Sequence, residues 1–291
     1  MQLLIYLTLY PILWCISILP FRLLYILSDF TCFIVYRIIG YRKKTVRENI
    51  ALALPHLSVK EQREIERKFY THLCDIFFEM TKTLTISRAS IDKRYRFTNL
   101  ETYLQLEKKG KSIALLCAHY ASYEWAVSMN NFINHKGYGI YKKLANPYFD
   151  TLVQNIRSKF KATLITTKET IPTIIENYKL NKMSIYGFAT DQSPKILANT
   201  YWSTFMGIEV PVHTNAENLA RKYDMNVIFL KTKKVKRGFY EASFEHIVDN
   251  VQETKEHEIT NKFLKLVEEQ ILEQPEYYLW THKRWKHRRQ S

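Results

Sequence analysis

The chain has 291 residues, of which 46% are hydrophobic, and its formal net charge is +15 at pH 7. This length and apolar content allow one large domain or two small ones with a buried core, and they exclude an intrinsically disordered protein. A total of only 7 glycines argues against a glycine-rich nucleotide-binding loop. The positive charge favours polyanionic partners: nucleic acid, anionic lipid, a phosphorylated substrate or an acidic carrier protein.

The four cysteines do not have the spacing of a metal site or of a disulfide framework. Cys15, Cys32, Cys74 and Cys117 form no CxxC pair and no ligand-like pattern with histidines. A thiol in an apolar stretch acts as a small hydrophobic group. We therefore expect a reduced, metal-free protein that faces the cytosol.

The N-terminal region is apolar. Residues 1–21 contain no charged side chain, Pro11 and Pro20 interrupt the run, and four basic residues follow within 42–47. Because basic residues tend to stay on the cytoplasmic side, this cluster predicts a cytoplasmic location for everything after it. We interpret residues 1–40 as a membrane anchor, either one span or a kinked hairpin in one leaflet. A buried core helix is the alternative, and a signal peptide is disfavoured because no positive segment precedes the run.

Residues 41–291 are predicted to form one α/β domain. Ser58 is a candidate helix cap, and apolar positions at helical spacing follow it. Strands are predicted at 111–118, 139–144, 162–166, 183–189, 226–232 and 239–247, and helices at 42–86, 148–160, 171–178 and 253–272. This alternation predicts a mixed, partly parallel central sheet flanked by helices.

Two histidines are followed five residues later by a glutamate, a spacing that chance alone also produces. His56 and Glu61 lie in a turn before a helix, where the histidine is expected to be solvated. His119 and Glu124 instead follow the apolar run 115–118, which has the length of a buried strand. Ligands of α/β proteins usually bind at the carboxyl ends of strands, so the second pair is the candidate site.

The chemistry of this second pair fits acyl transfer to an alcohol. His119 would remove the proton of an acceptor hydroxyl as general base, and Glu124 would orient the ring and stabilise its charged form. Ser122 is predicted to cap a following helix, whose positive end would keep Glu124 ionised. No G-x-S-x-G motif is present to indicate a covalent acyl-enzyme. A structural histidine remains the alternative from these residues alone.

Four sequence blocks extend the pattern. They are HYASYE at 119–124, YKKLANP at 141–147 with Arg157, DQ at 191–192 followed by FMG at 205–207 and LA at 219–220, and PEYYLWTHKRWK at 275–286. In this order they resemble the bacterial lipid A (lauroyl/myristoyl-type) acyltransferases, a branch of the lysophospholipid acyltransferase superfamily. The motif His-x-Gly-Asn-Trp-Glu of that family keeps its two reactive positions here, while Ala121, Ser122 and Tyr123 replace its Gly, Asn and Trp. Lys161 stands where the family has a glycine.

The resemblance implies a membrane-bound O-acyltransferase on the cytoplasmic side of the bacterial inner membrane. The enzyme would transfer a fatty acyl group from the thioester of acyl carrier protein, with coenzyme A as the alternative donor, to a hydroxyl of a lipid A precursor. It implies His119 as base and Glu124 as its orienting carboxylate. Arg157, Asp191 and Lys142 would bind substrate, with no bound cofactor and no metal. A lysophospholipid or an amine-containing lipid is the alternative acceptor.

The basic, aromatic stretch WTHKRWKHRR at 280–289 allows two interpretations. Tryptophans favour the membrane interface, and basic residues bind anionic headgroups, so we predict contact with the membrane surface. Interleaved aromatic and basic residues also occur in proteins that bind single-stranded nucleic acid. The uncharged N-terminal region and the lack of a nucleic-acid motif argue against that class, and we predict no nucleic-acid partner.

Overall fold

A computed structural model of the protein describes residues 1–248 and 250–289. The strands in this part of the chain are β1 (Tyr95–Phe97), β2 (Ile113–Cys117), β3 (Lys136–Tyr141), β4 (Thr163–Thr166), β5 (Ser184–Ala189), β6 (Trp202–Phe205), β7 (Ile208–Pro211), β8 (Asn226–Lys236) and β9 (Phe239–Val248). The α-helices are α1 (Gln2–Ile18), α2 (Phe21–Phe33), α3 (Lys43–Ala53), α4 (Val59–Lys82), α5 (Arg88–Arg94), α6 (Leu100–Glu107), α7 (Pro147–Ser158), α8 (Thr170–Lys179), α9 (Asn215–Lys222) and α10 (Glu258–Glu273).

Seven of these strands form one sheet in the order β1-β9-β8-β2-β5-β3-β4. Neighbouring strands are parallel except β8 and β9, which pair antiparallel. The predicted mixed, partly parallel sheet is therefore confirmed. Central strand β2 is flanked on both sides, and its residues Ile113, Ala114, Leu115 and Leu116 are buried. The β6–β7 hairpin is separate from this sheet and was not predicted.

The helix predicted over 42–86 is divided into α3 and α4. Pro55 lies between them, where it lacks a backbone donor and disfavours helical geometry in the residue before it. The predicted cap at Ser58 is confirmed, since its hydroxyl accepts from the Glu61 backbone N–H and the Glu61 carboxylate accepts from the Ser58 N–H. This capping box satisfies two donors that a helix start leaves free.

The predictions differ from the structure at two further elements. Strand β3 lies three residues earlier than predicted. It contains Gly137 and Gly139, which the side chains of Asn130 and Leu164 approach closely. Glycine weakens the sequence signal of a strand where another group approaches the backbone. Helix α10 begins later than predicted, at Glu258. Its predicted apolar face is buried as expected: Ile259, Phe263, Leu264, Val267 and Ile271.

The two N-terminal helices lie against the α/β domain. Helices α1 and α2 both pack against α4, and the ring of Tyr6 stacks on that of Tyr148 at the start of α7, with ring centres 5.6 Å apart. Across the described chain, no individual helix has the length and apolar composition needed to cross a bilayer. Phe21–Ile39 and Lys43–Ala53 meet that requirement only as a pair, with a 93° bend between them.

Candidate active site

The register of the sheet brings His119 and Asp191 together. Strands β2 and β5 are parallel neighbours, and Cys117 pairs with Ala189 at their carboxyl ends. His119 and Asp191 each lie two residues beyond that pair, so they extend from the same edge of the sheet at the same level. The carboxyl edge of a parallel sheet is where α/β proteins commonly bind ligands.

The His119 ring is bonded to Asp191. The distance from His119 Nδ1 to Asp191 Oδ1 is 2.7 Å, and the His119 backbone N–H donates to the same oxygen at 3.1 Å. The Asp191 side chain is 1% exposed, whereas that of His119 is 22% exposed. Since the carboxylate is an acceptor, Nδ1 carries the proton and Nε2 is left as the basic nitrogen.

The charges around His119 adjust its basicity. Burial lowers the pKa of His119, but the charge and hydrogen bond of Asp191, with a smaller contribution from Glu124, outweigh burial and raise that pKa above its ordinary value. Burial raises the pKa of Asp191, yet His119 and backbone donors more than offset it, so the pKa of Asp191 lies below its usual value. Asp191 is therefore ionised beside a ring that can accept a proton.

Glu124 does not form the bond that we predicted for it. Its two carboxylate oxygens accept from Arg157 Nε at 2.7 Å and Arg157 Nη2 at 2.6 Å, a bidentate pair. The carboxylate hydrogen-bonded to His119 is that of Asp191, and Glu124 acts on the ring through its charge. The predicted helix after Ser122 is also wrong: a 3₁₀ helix begins at Trp125, and the hydroxyl of Ser122 is buried without a partner in the described chain.

The predicted substrate-binding residues lie at the same edge of the sheet. Two donor nitrogens of Arg157 bind Glu124, which leaves Nη1 and a side chain that is 24% exposed for any ligand. Lys142 is exposed and follows the last residue of β3, two strands away from β2. Asn146 caps α7, the helix that carries Arg157, by accepting from the Tyr148 N–H at 3.0 Å. Phosphate binding by Arg157 and Lys142 stays a prediction.

Clusters of metal-binding side chains and surface cavities are the other places where a functional site could lie. Within residues 1–248 and 250–289, no group of three or more His, Cys, Asp or Glu side chains is placed to hold a metal ion. Surface cavities of about 450 and 220 Å³ lie beside α6 and over β8 and β9, away from His119. The charged pairs at this edge of the sheet are His119–Asp191 and Glu124–Arg157.

Comparison with protein families decides the class. The model of the family described as bacterial lipid A biosynthesis acyltransferase matches residues 2–287. The chain belongs to this family. A comparison with curated proteins found no match. The protein is thus an enzyme that transfers acyl groups, and its family acts in lipid A biosynthesis.

The two residues that stand where the sequence resemblance implies glycine have unusual backbone angles. Ala121 and Lys161 have φ angles of 46° and 68°. This left-handed region suits glycine and costs an L-residue roughly 1 kcal/mol. At Ala121 the backbone is held by a bond from its N–H to the Tyr277 carbonyl at 2.9 Å. Both positions therefore adopt a backbone geometry that glycine favours, although neither residue is glycine.

Sequence patterns missed the role of the stretch that follows α10. We call residues 277–285 the C-terminal segment. It contacts the loop that carries His119, because the Leu279 N–H donates to the His119 carbonyl at 3.1 Å. Asn49 of α3 holds the segment from the other side by donating to the Trp280 and His282 carbonyls, both at 2.7 Å. The segment is part of the frame of the acyltransferase site.

The membrane-interface interpretation of the two tryptophans in this segment is wrong. Trp280 and Trp285 are 0% and 1% exposed, and their rings stack on each other with centres 6.0 Å apart. The Trp280 N–H donates to the Pro275 carbonyl at 2.6 Å. Large aromatic rings stabilise a core by the area they bury, and here they fix the C-terminal segment to the body of the acyltransferase.

The Glu124–Arg157 pair predicts opposite pH effects for its two members. Loss of the negative charge in Glu124→Gln is expected to lower the pKa of His119 and move the acid limb of kcat/KM to lower pH. Loss of the positive charge in Arg157→Gln is expected to move it to higher pH, each by roughly one unit or less. The pH dependence of kcat/KM for both variants checks this.

The double variant is the control for that experiment. Because both charges are removed together, its acid limb is expected near the wild-type position. Shifts of both single variants in the same direction would show that the pair does not act on His119 through its charges.

Proposed function

We propose that this acyltransferase transfers a fatty acyl group from the thioester of acyl carrier protein to a hydroxyl of a lipid A precursor. The observation that carries the proposal is the hydrogen bond from His119 Nδ1 to the buried Asp191 carboxylate, which leaves Nε2 of a partly exposed ring as the base. Family membership supports acyl transfer in lipid A synthesis, and the family implies a lipid acceptor.

The reaction uses two proton transfers, one to His119 and one from it. His119 Nε2 takes the hydroxyl proton as the acceptor oxygen attacks the thioester carbonyl, and the new C–O bond gives a tetrahedral oxyanion. Backbone amides at the site stabilise that oxyanion. As the intermediate collapses, the C–S bond breaks and the departing sulfur receives the proton from the imidazolium. Asp191 stabilises the imidazolium between these steps, and Glu124 adds its negative charge.

The charge of the protein supports this choice of substrates. Net charge is +15, and Lys142 and Lys143 are exposed directly after β3, at the edge that holds His119. Cationic side chains at this edge suit both the phosphates of a lipid A precursor and the acidic surface of a carrier protein. Neither substrate requires a bound cofactor or a metal ion.

The outer face of the N-terminal helices supports binding in the plane of the membrane. Apolar side chains on α1 and α2 are exposed, including Leu4 at 69%, Leu7 at 57%, Ile26 at 64% and Phe30 at 62%. An apolar patch of this kind marks an interaction surface. We infer that residues 1–40 lie in one leaflet, on the cytoplasmic side of the bacterial inner membrane, with α1 beside the start of α7.

The double variant Leu4→Glu, Leu7→Glu is expected to leave this membrane. Its two carboxylates would have to enter the apolar layer, so the share of protein in the membrane fraction is expected to fall several-fold. Leu272→Glu, on the exposed side of α10, is the matched control. Equal membrane fractions for all three proteins would contradict in-plane binding.

Purified enzyme tests donor and acceptor separately. Acyl carrier protein and coenzyme A thioesters of one fatty acid are compared with a lipid A precursor and with a lysophospholipid, and products are identified by mass spectrometry. We expect transfer from the carrier-protein thioester to the lipid A precursor. Preferred acylation of the lysophospholipid would overturn the acceptor, and a preference for coenzyme A would overturn the donor. Lipids from cells with and without the gene are expected to differ by an acylated lipid A species.

A further inference from the structure

The C-terminal segment holds the loop that carries Asp191 as well as the loop that carries His119. The Ser193 N–H donates to His282 Nε2 at 3.2 Å, and the Ser193 hydroxyl donates to the Arg284 carbonyl at 3.0 Å. Ser193 lies two residues after Asp191. Both loops that supply the acid–base pair are therefore bonded to one stretch of nine residues.

Arg284 is a cation buried within this stretch. It is 1% exposed, its Nη1 donates to the Pro211 carbonyl at 3.1 Å, and its guanidinium lies 4.9 Å from the centre of the Phe205 ring. Its Nε and Nη2 form no hydrogen bond within the described chain. A buried charge is costly unless an opposite charge compensates it.

The opposite charge nearby is that of Asp191. Asp191 is also 1% exposed, and both bonds from His119 go to Oδ1, while the remaining side-chain hydrogen bond to this carboxylate comes from the uncharged phenol of Tyr278. The charges of Arg284 and Asp191 act on each other and on the buried phenol of Tyr278. Asp191 and Arg284 are thus two buried ions of opposite sign that lie near enough for their charges to interact.

We propose that Arg284 is a positioning residue of the acyl-transfer site: its buried guanidinium supplies the counter-charge of Asp191, and its carbonyl group holds the loop that carries Asp191. The inference rests on the proposed function, in which His119 is the base. Asp191 and Glu124 both favour the protonated ring. A base that is protonated at working pH cannot accept a proton, so a buried cation whose charge acts on Asp191 offsets this effect and keeps the ring available.

Several titratable groups besides Arg284 act on His119 or on Asp191. They are Glu124, Arg157, Tyr123, Cys117, Tyr278, His213 and His282, with Lys286 acting on His282. Burial lowers the pKa of His282 to about 4, so its ring is neutral and keeps its bond with Ser193. Arg284 is the buried cation whose charge acts on Asp191.

Titration of His119 by NMR tests the inference without any turnover. The probe is the full-length enzyme in detergent micelles with ¹³C-labelled histidine, and His119→Ala assigns the resonance. Removal of the cation in Arg284→Gln is expected to raise the pKa of His119 by about one unit and to move the acid limb of kcat/KM upward equally. At pH below that limb, activity is expected to fall about tenfold and to recover at higher pH.

Two matched variants separate charge from packing. Lys283→Gln removes an exposed cation from the neighbouring position and is expected to leave the titration of His119 unchanged. Arg284→Lys keeps the positive charge and is expected to keep the acid limb close to its wild-type position. Loss of stability alone would lower activity at every pH without moving this limb.

An unchanged or lowered pKa of His119 in Arg284→Gln would overturn the inference. If Arg284→Gln does not fold, Arg284→Lys decides: a limb displaced by a full unit in that variant would overturn the inference, and a wild-type limb would support it. Activity that persists in His119→Ala would instead contradict the proposed function. The NMR titration of His119 would still report on Arg284 in that case.

Discussion

The variant His119→Ala is expected to lose acyl transfer by at least about a thousandfold, because the proposed mechanism uses its imidazole to take the proton of the acceptor hydroxyl. The fold is expected to remain, since the ring is partly exposed and the backbone bond from residue 119 to Asp191 does not depend on the side chain. Initial rates of transfer by purified protein, with circular dichroism of the same samples, measure both quantities.

His56 provides the matched control for this variant. His56 and Glu61 have the same spacing as His119 and Glu124, but His56 is exposed in the turn before α4, and Glu61 belongs to the capping box. His56→Ala is therefore expected to keep full activity. Transfer by His119→Ala at a rate near that of the wild type would remove the imidazole from the mechanism.

The variant Asp191→Asn is expected to lower kcat by about a thousandfold or more and to move the acid limb of kcat/KM to lower pH. Two causes act together. The amide can donate a hydrogen bond to Nδ1, which places the ring proton on Nε2, where the base is needed. The loss of the negative charge also removes the main group that raises the pKa of His119, so the remaining activity titrates at lower pH.

The direction of the pH shift is the discriminating measurement for Asp191. A variant that only disturbs the loop lowers the rate at every pH, whereas the loss of the charge moves the limb downward. Asp224→Asn, which removes a surface carboxylate 2.6 Å from Lys111 Nζ, is the control and is expected to change neither quantity. If the acid limb of kcat/KM for Asp191→Asn lies at the same pH as that of the wild type, Asp191 does not act on the charge of His119.

The elements that sequence predicted well are those with a strong apolar pattern. The buried strand β2 is a continuous apolar run, and α10 carries its apolar residues on one face, so local patterns identify them. The glycines in β3 and the short β6–β7 hairpin weaken or remove such a pattern. Propensity alone therefore misplaced the first and missed the second.

The candidate site was predicted in part. His119 was identified because it follows a buried strand, but Asp191 is 72 positions away and its contact with His119 depends on which strands are neighbours in the sheet. A spacing of five residues pointed to Glu124, which binds Arg157. Asp191 was itself predicted as a site residue from the DQ block, but as a substrate-binding residue, with a hydrogen bond near His119 only as the alternative. A second signal was that both residues come two positions after the end of a strand.

The burial of Arg284 could not be predicted from its surroundings in the sequence. Exposed cations lie on both sides at Lys283 and Lys286, and a run of positive charge is usually a solvated surface. Trp280 and Trp285 in the same stretch indicated a membrane surface, because tryptophans favour that interface. Tertiary packing reverses this expectation. The Trp285 ring stacks on Phe205 of β6, and the Arg284 guanidinium lies over the same Phe205 ring.

The position of the C-terminal segment has a consequence for the order in which the enzyme matures. Residues 277–285 follow every strand of the sheet, yet they bond to the loops at 119–121 and at 193. During synthesis the earlier strands emerge first. A nascent chain can therefore form its sheet before the loops that carry His119 and Asp191 are held in place. The enzyme becomes active last, when residues 277–285 pack against these loops.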